Sequence, residues 1–403
     1  MFRKSWSVLL PLTLIVALLL VWAANATLFS FWTTAKEEQN PVPAPAPLSK
    51  TNDADLIASP CAKALEQRAV CVAANSRALE IMSANHLEAF TLAQDVRTGA
   101  LVAFAASQPA TLDVTTPVLP LSLSKLLLSA SWWDNRQPAS NFVSSRGRAN
   151  AQNPAYRARV SVHEMLVGGS DSAGGEMAVT LRRSVGAQAV IGDLKRYGFG
   201  QRANSPRDDT FWLELAPAWR ARLIPASAYA LLSDDMKDTE WGDTLSIGDT
   251  NFNVTALHVS RFLQAVGNGG MLLQPVAREE QSPPSLKDLR MSHQKAENPT
   301  RIMQESTALR LQSAMRDAVQ RGTAKSIAKA LEKSGWQIGG KTGTGPRPAP
   351  IGPTSDGWFA GVIFDPQGKA RFTVATFVRH GGPGGVNAAR ISAELARYII
   401  GVK

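Results

Sequence analysis

The hydrophobic pattern divides the chain before any chemistry is read. Residues 6–32, WSVLLPLTLIVALLLVWAANATLFSFW, form one apolar run with no charge and one strongly polar residue, Asn25. A run of that length matches a helix that spans a bilayer. Arg3 and Lys4 precede it, which predicts a cytoplasmic tip and export of the remainder of the chain. Ala24-Asn25-Ala26 resembles a cleavage site, so a removed signal peptide is the competing reading. The apolar run continues past that site to Trp32, which favours an uncleaved anchor. In residues 36–55, KEEQNPVPAPAPLSKTNDAD, Pro alternates with small residues, as in an extended spacer without a core. The expected organisation is therefore tip and anchor over 1–32, linker over 33–58 and a folded domain over 59–403.

Within that domain the periods mix. AFTLAQDVRTGALVAFAAS, residues 89–107, places apolar runs on both sides of Asp95-Val96-Arg97-Thr98-Gly99 and predicts a β-hairpin. A long middle segment reads as mostly helical. DGWFAGVIFD (356–365) and ARFTVATFVRH (370–380) predict two strands, and ISAELARYIIG (391–401) has helical periodicity. SIAKALEKSG, residues 326–335, reads as a Lys-rich amphipathic helix stopped by Gly335. Strands at both ends with helices between predict an α+β domain whose sheet is closed by the two ends of the chain.

Composition adds little beyond the charge. The net charge of +10 suits an anionic membrane surface, an anionic wall polymer or nucleic acid. No Lys/Arg run is interleaved with aromatics, so nucleic acid is not the expected partner. The two cysteines, Cys61 and Cys71, would enter an oxidising compartment if exported. SPCAKALEQRAVC reads as a helix with Ser59 as N-cap, and on one helix those ten residues span about 15 Å, too far for a disulfide. A bridge therefore requires that helix to break. Zinc is not expected at this pair, because the companion His or Cys is missing.

Three short motifs carry chemistry. In VLPLSLSKLLLSASWW (118–133), Ser122 lies three residues before Lys125 at the head of an apolar helix. Positions i and i+3 share a helix face, so the amine reaches the hydroxyl. Serine needs such a base to act as a nucleophile. The same spacing recurs at Ser292/Lys295 and Ser326/Lys329, but the first lies in a polar stretch and the second among solvated lysines. In LVGGSDSAGGEMA (166–178), Ser170 and Ser172 either line a cleft or simply cap a helix. IGGKTGTG (338–345) sets Lys341, Thr342, Gly343 and Thr344 on a strand. It offers a cation, two hydroxyls and a bare backbone, which suits a site gripping a carboxylate and an oxyanion. The N–H groups of Ser122 and Thr344 are the candidate oxyanion donors. The bland alternative for Lys341 is a solvated strand-edge lysine.

Ser122-x-x-Lys125, Ser170-Asp171-Ser172 and Lys341-Thr342-Gly343-Thr344, in that order, resemble the penicillin-recognising serine acyltransferases, specifically the transpeptidase domain of penicillin-binding proteins. LKRYGFG (194–200), LSIGDTNFNVTALHVSRFLQAVGNGGML (245–272) and MRDAVQRGTAKSIA (315–328) are similar to further stretches of that domain, over roughly residues 85–400. The resemblance implies an antiparallel sheet flanked by helices, an all-helical lobe and a site between them. It implies that Ser122 attacks the D-alanyl-D-alanine bond of peptidoglycan stem peptides while Lys125 takes its proton. Ser170 relays a proton to the leaving amine with Lys341, and Thr342 and Thr344 hold the terminal carboxylate. β-Lactams would acylate the same serine, and no metal or organic cofactor is implied. The implied setting is a minimal single-pass protein of the bacterial inner membrane, its domain in the periplasm, with a glycosyltransferase as a possible partner. Two positions depart from the family. Ser172 stands where an Asn helps hold the substrate amide and the first lysine, and Leu121 replaces the Gly common before the nucleophile. A β-lactamase or carboxypeptidase on the same scaffold, and a β-lactam sensor or scaffold without turnover, are the other readings. No Glu is assignable to a deacylating water, and His380 and Arg379 read as structural or rim residues.

Overall fold

The computed structural model describes residues 65–99, 101–108, 111–112, 114, 116–144, 158–199, 237–248, 253–273, 299–345 and 354–401. The chain divides into two units, residues 1–52 and 53–403, and every described residue lies in the second. The expected anchor, the linker and Cys61 lie outside the described residues. Among the described residues no helix is long and apolar enough to cross a membrane.

Helix α1 (Leu65–Ala84) precedes the hairpin β1 (Glu88–Asp95) and β2 (Leu101–Ala106). A 3-10 turn at Leu121–Leu123 leads into α2 (Ser124–Asp134), then the short pair β3 (Asn141–Ser144) and β4 (Ala158–Ser161). Helices α3 (Val162–Gly168), α4 (Asp171–Val185), α5 (Ala187–Arg196) and α6 (Ala256–Gly267) come next. The strands β5 (Met271–Leu272) and β6 (Thr300–Arg301) form a second short pair before α7 (Glu305–Gln320). Strands β7 (Gln337–Gly345), β8 (Asp356–Phe364) and β9 (Ala370–Arg379) and helix α8 (Asn387–Ile399) finish the fold.

The main sheet has the order β2-β1-β9-β8-β7 and is antiparallel throughout. The first and last strands pair from Glu88↔Arg379 to Asp95↔Phe372, so the two ends of the chain do close the sheet. Both faces are covered. Alternate residues along β8 point to opposite sides: Trp358, Ala360 and Val362 join a core with α2–α7, while Phe359 and Ile363 join a core with α1 and α8. Strand β7 is terminal in this sheet, which leaves one of its edges without a strand neighbour among the described residues.

One expected element takes another form. SIAKALEKSG is not a continuous α-helix but two 3-10 turns, Lys325–Ile327 and Glu332–Ser334. Ala324, Ile327 and Leu331 bury against the α1/α8 core, and the Ser326 hydroxyl donates to the Gly385 carbonyl. These tertiary contacts outweigh the weak preference of a short isolated helix.

Two polar arrangements pin the helices around the sheet. Asp134, at the end of α2, accepts from the Tyr197 hydroxyl at 2.9 Å and from the backbone N–H of Gln304 at 2.9 Å, tying α2 to the start of α7. Burial, reinforced by the Asp134 and Asp193 charges, pushes the Tyr197 phenol up, so it stays a donor. At the start of α6, Nδ1 of His258 accepts from the Thr255 N–H at 3.2 Å and closes a capping box. Burial, with the Arg261 charge adding to it, pushes His258 down to about 3 from its ordinary 6.5. Between those values the unfolded chain binds a proton that the folded one excludes, so stability falls as pH falls through that window. Acidification from pH 7 to 5 is expected to cost ~2 kcal/mol through this group alone. Urea midpoints at the two pH values should show it, and His258→Gln should remove that part of the drop.

Candidate active site

The first motif is built locally. The 3-10 turn Leu121–Leu123 feeds α2, and in such a turn residues i and i+3 nearly eclipse. Lys125 Nζ consequently lies 2.9 Å from Ser122 Oγ. Lys125 is fully buried at 0% exposure, whereas Ser122 is half-buried.

Several contacts hold the turn rigid. Leu121 has φ +53, the left-handed region that costs a bulky residue roughly 1–2 kcal/mol. This explains why glycine suits the position. Here the leucine side chain is buried in the core and its N–H donates to the Gly248 carbonyl at 2.9 Å. Ser124 Oγ donates to the carbonyls of Leu121 (2.9 Å) and Ser246 (2.8 Å). The indole N–H of Trp358 on β8 donates to the Leu119 carbonyl at 2.9 Å. Trp358 itself packs on the stacked pair Phe90 and Phe377, with ring centroids at 5.5 and 5.2 Å. The turn that carries Ser122 is thus fastened to the central sheet.

The second motif opens α4. Ser170 is its N-cap, its Oγ accepting from the Ala173 N–H at 3.3 Å. The capping role weighed for this serine is therefore real. The same oxygen also accepts from Ser144 Oγ at 2.9 Å and lies 3.3 Å from Ser172 Oγ, which makes a run of hydroxyls along the helix start. Between the two serines, Asp171 Oδ1 accepts from Lys125 Nζ at 2.8 Å. That pair brings the second motif to the first.

The third motif lies on the terminal strand β7. Lys341 is buried, and its Nζ donates to the Thr342 carbonyl at 2.8 Å. Thr342 Oγ1 donates to Thr323 Oγ1 at 2.7 Å. Thr344 Oγ1 accepts from the Gly384 N–H at 3.1 Å, which leaves its own proton to donate. A Cβ on Gly343 would come within 3.1 Å of Leu121 Cβ, so β7 passes directly against the turn that carries Ser122. A terminal strand can add an extended peptide as a further strand. The three motifs therefore meet: Lys125 bridges Ser122 and Asp171, and Gly343 abuts the turn that carries Ser122.

Compared with known protein families, residues 89–401 match the penicillin-binding protein transpeptidase domain. The chain belongs to that family. No curated protein sequence matches it. Solved structures agree on the fold. A peptidoglycan glycosyltransferase from Burkholderia ambifaria superposes with a TM-score of 0.59 at 17% identity, over 83% of this chain and 94% of the other. The TP domain of Burkholderia pseudomallei penicillin-binding protein 3 gives 0.58 at 17% identity, over 83% and 92%. Penicillin-binding protein 3 of Mycobacterium tuberculosis, in complex with aztreonam, gives 0.57 at 17% identity, over 82% and 77%.

Within this transpeptidase domain, two residues of the site escape a reading by motif. Asp171 reads as a helix-capping residue, yet it is the carboxylate on the buried lysine. The signal available in the sequence was that a buried Lys125 needs a counter-charge, and Asp171 is the acid within the three motifs. Thr323, in the Gly-Thr-Ala stretch after α7, meets the hydroxyl of Thr342. His380 and Arg379 behave as rim and structural residues: His380 Nδ1 sits 2.9 Å from the Thr354 carbonyl, and Arg379 pairs with Glu88.

Proposed function

We propose that this chain is a serine D,D-transpeptidase acting on the D-Ala-D-Ala stem peptides of peptidoglycan. The observation that carries the reading is the buried Lys125 amine at 2.9 Å from the accessible Ser122 hydroxyl, beside a terminal strand that bears Lys341, Thr342 and Thr344. Ser122 Oγ attacks the carbonyl carbon of the penultimate D-Ala, and its proton passes to neutral Lys125. The N–H groups of Ser122 and Thr344 hold the oxyanion. The C–N bond breaks, and the leaving D-Ala amine takes a proton through Ser170, with Lys341 stabilising the developing charge. The Thr344 hydroxyl holds the terminal carboxylate of the peptide, joined by the Thr342 hydroxyl once it turns its proton away from Thr323. An acceptor amine then attacks the ester, gives up a proton and releases Ser122. A β-lactam takes the first half of this path, its ring C–N bond standing in place of the peptide bond. Ser172 lines the substrate side of the cleft. The apolar run at 6–32 anchors the domain on the outer face of the bacterial inner membrane, with a glycosyltransferase that supplies glycan strands as a partner.

The test is covalent labelling of the purified chain with a fluorescent penicillin, mapping of the adduct by mass spectrometry and a chase over hours. The expected result is one adduct on the peptide containing Ser122, stable for hours. An adduct lost in seconds with drug hydrolysed assigns a lactamase, and a folded chain that takes no label overturns the acyl-transfer reading.

A further inference from the structure

The Lys125 amine lies between two oxygens, Ser122 Oγ at 2.9 Å and Asp171 Oδ1 at 2.8 Å. We infer that Asp171 is a positioning residue for Lys125: its carboxylate aims the amine at Ser122 and keeps it an ammonium in the resting site, so that acylation waits on loss of a proton from this pair. The inference rests on the proposed acyl transfer and deepens it.

The geometry is built for the pair. An ammonium at 0% exposure is costly without a counter-ion, and Asp171 supplies one. The carboxylate sits in the first turn of α4, where the helix dipole favours its negative charge, and at 22% exposure it keeps contact with solvent. Gly174 lies one turn further along α4, on the same side. A Cβ there would come within 2.9 Å of Lys125 Cε. One turn of α4 therefore does two things: Asp171 grips the head of the lysine and Gly174 lets its stem pass.

Other charges nearby are mostly turned to partners of their own. On α5, Asp193 holds Arg196, and on α3 and α7, Glu164 and Asp317 hold Arg321. Arg182 and Arg183 on α4 hold Asp238, and Glu176 on α4 accepts from the Val143 N–H of β3. Strand β7 contributes a second buried lysine, Lys341, whose Nζ donates to the Thr342 carbonyl at 2.8 Å.

The chemical consequence is direct. Taking the Ser122 proton requires a lone pair on Nζ, and an ammonium has none. The adjacent carboxylate disfavours the neutral amine. Acylation should therefore show an acid limb set by the Lys125–Asp171 pair.

The experiment measures the rate of acylation of the full chain in detergent by fluorescent penicillin from pH 5 to 9. Asp171→Asn keeps an oxygen acceptor and removes the charge. Its acid limb is expected to move down by about one pH unit, which raises the rate at pH 6 about tenfold, with the alkaline plateau within about threefold of wild type. Asp171→Ala removes the guide and should lower the plateau about tenfold. An unmoved limb in Asp171→Asn, or an unchanged plateau in Asp171→Ala, overturns the inference even where Ser122 is acylated normally. If wild type takes no label at any pH, it is the acyl-transfer reading that fails. The pair is then read directly by carbon NMR of lysine-labelled protein, with the Lys125 signal assigned by its loss in Lys125→Met. A titration midpoint lower in Asp171→Asn than in wild type supports the inference, and an unchanged midpoint overturns it.

Discussion

Lys125→Met is expected to slow acylation by penicillin about 10³-fold while leaving the fold intact. The methionine stem fills the channel that Gly174 leaves open, so the packing of the buried residue is nearly conserved. What is lost is the amine at 2.9 Å from Ser122 Oγ, and with it the group that takes the serine proton once it has given up its own. Asp171 is left without the ammonium, but it stays at a helix start and in contact with solvent, so the stability cost is small. Lys125→Arg separates charge from basicity. It keeps a cation for Asp171, yet a guanidinium does not give up its proton in the accessible range. Acylation by this variant should remain low up to pH 9, whereas wild type accelerates with pH. Full acylation by Lys125→Met, measured alongside an unfolding curve like that of wild type, would remove Lys125 from the mechanism.

How much of this was open to a reading of the sequence depends on whether each feature is local. The Ser122–Lys125 contact was readable because it spans one turn of one element. The strand character of residues 356–364 and 370–379 was readable from apolar alternation, and so was closure of the sheet by both ends of the chain. For the Lys125–Asp171 pair only the need of a buried lysine for a counter-charge was readable, and not the contact itself, because it joins residues 46 positions apart across the packing of α2 on α4. Residues 326–335 failed in the opposite sense. Their helical period is genuine, but Ala324, Ile327 and Leu331 are held on the core by contacts that the period does not encode. Leu121 lies between the two cases. Its departure from glycine is visible in the sequence, but the positive φ that it tolerates, and the burial and Gly248 contact that offset the strain, appear only in three dimensions.

Gly384→Ala is expected to destabilise the domain by about 3 kcal/mol and to weaken substrate recognition about tenfold, two effects from one added methyl. The loop Gly381–Gly385 leaves β9 and folds back over the ends of β7 and β8. A Cβ at residue 384 would lie 2.1 Å from the Trp358 carbonyl oxygen and 2.3 Å from that of Gly343. Both oxygens belong to paired strands and cannot retreat, so the loop must lift. Lifting it stretches the 3.1 Å bond from the Gly384 N–H to Thr344 Oγ1 and the 3.0 Å bond from the Ala389 N–H to the Gly384 carbonyl at the start of α8. The Thr344 hydroxyl then loses the donor that orients it toward the carboxylate it is proposed to hold. The loss should appear in the concentration of penicillin needed for half-maximal rate. The limiting rate of acylation, which depends on Ser122 and Lys125, should change little. Gly168→Ala is the control, since a Cβ there meets nothing within 4 Å. It should be neutral or slightly stabilising at the end of its helix. An unfolding midpoint for Gly384→Ala equal to that of Gly168→Ala would show that the loop yields freely. The coupling between loop and carboxylate site would then be wrong.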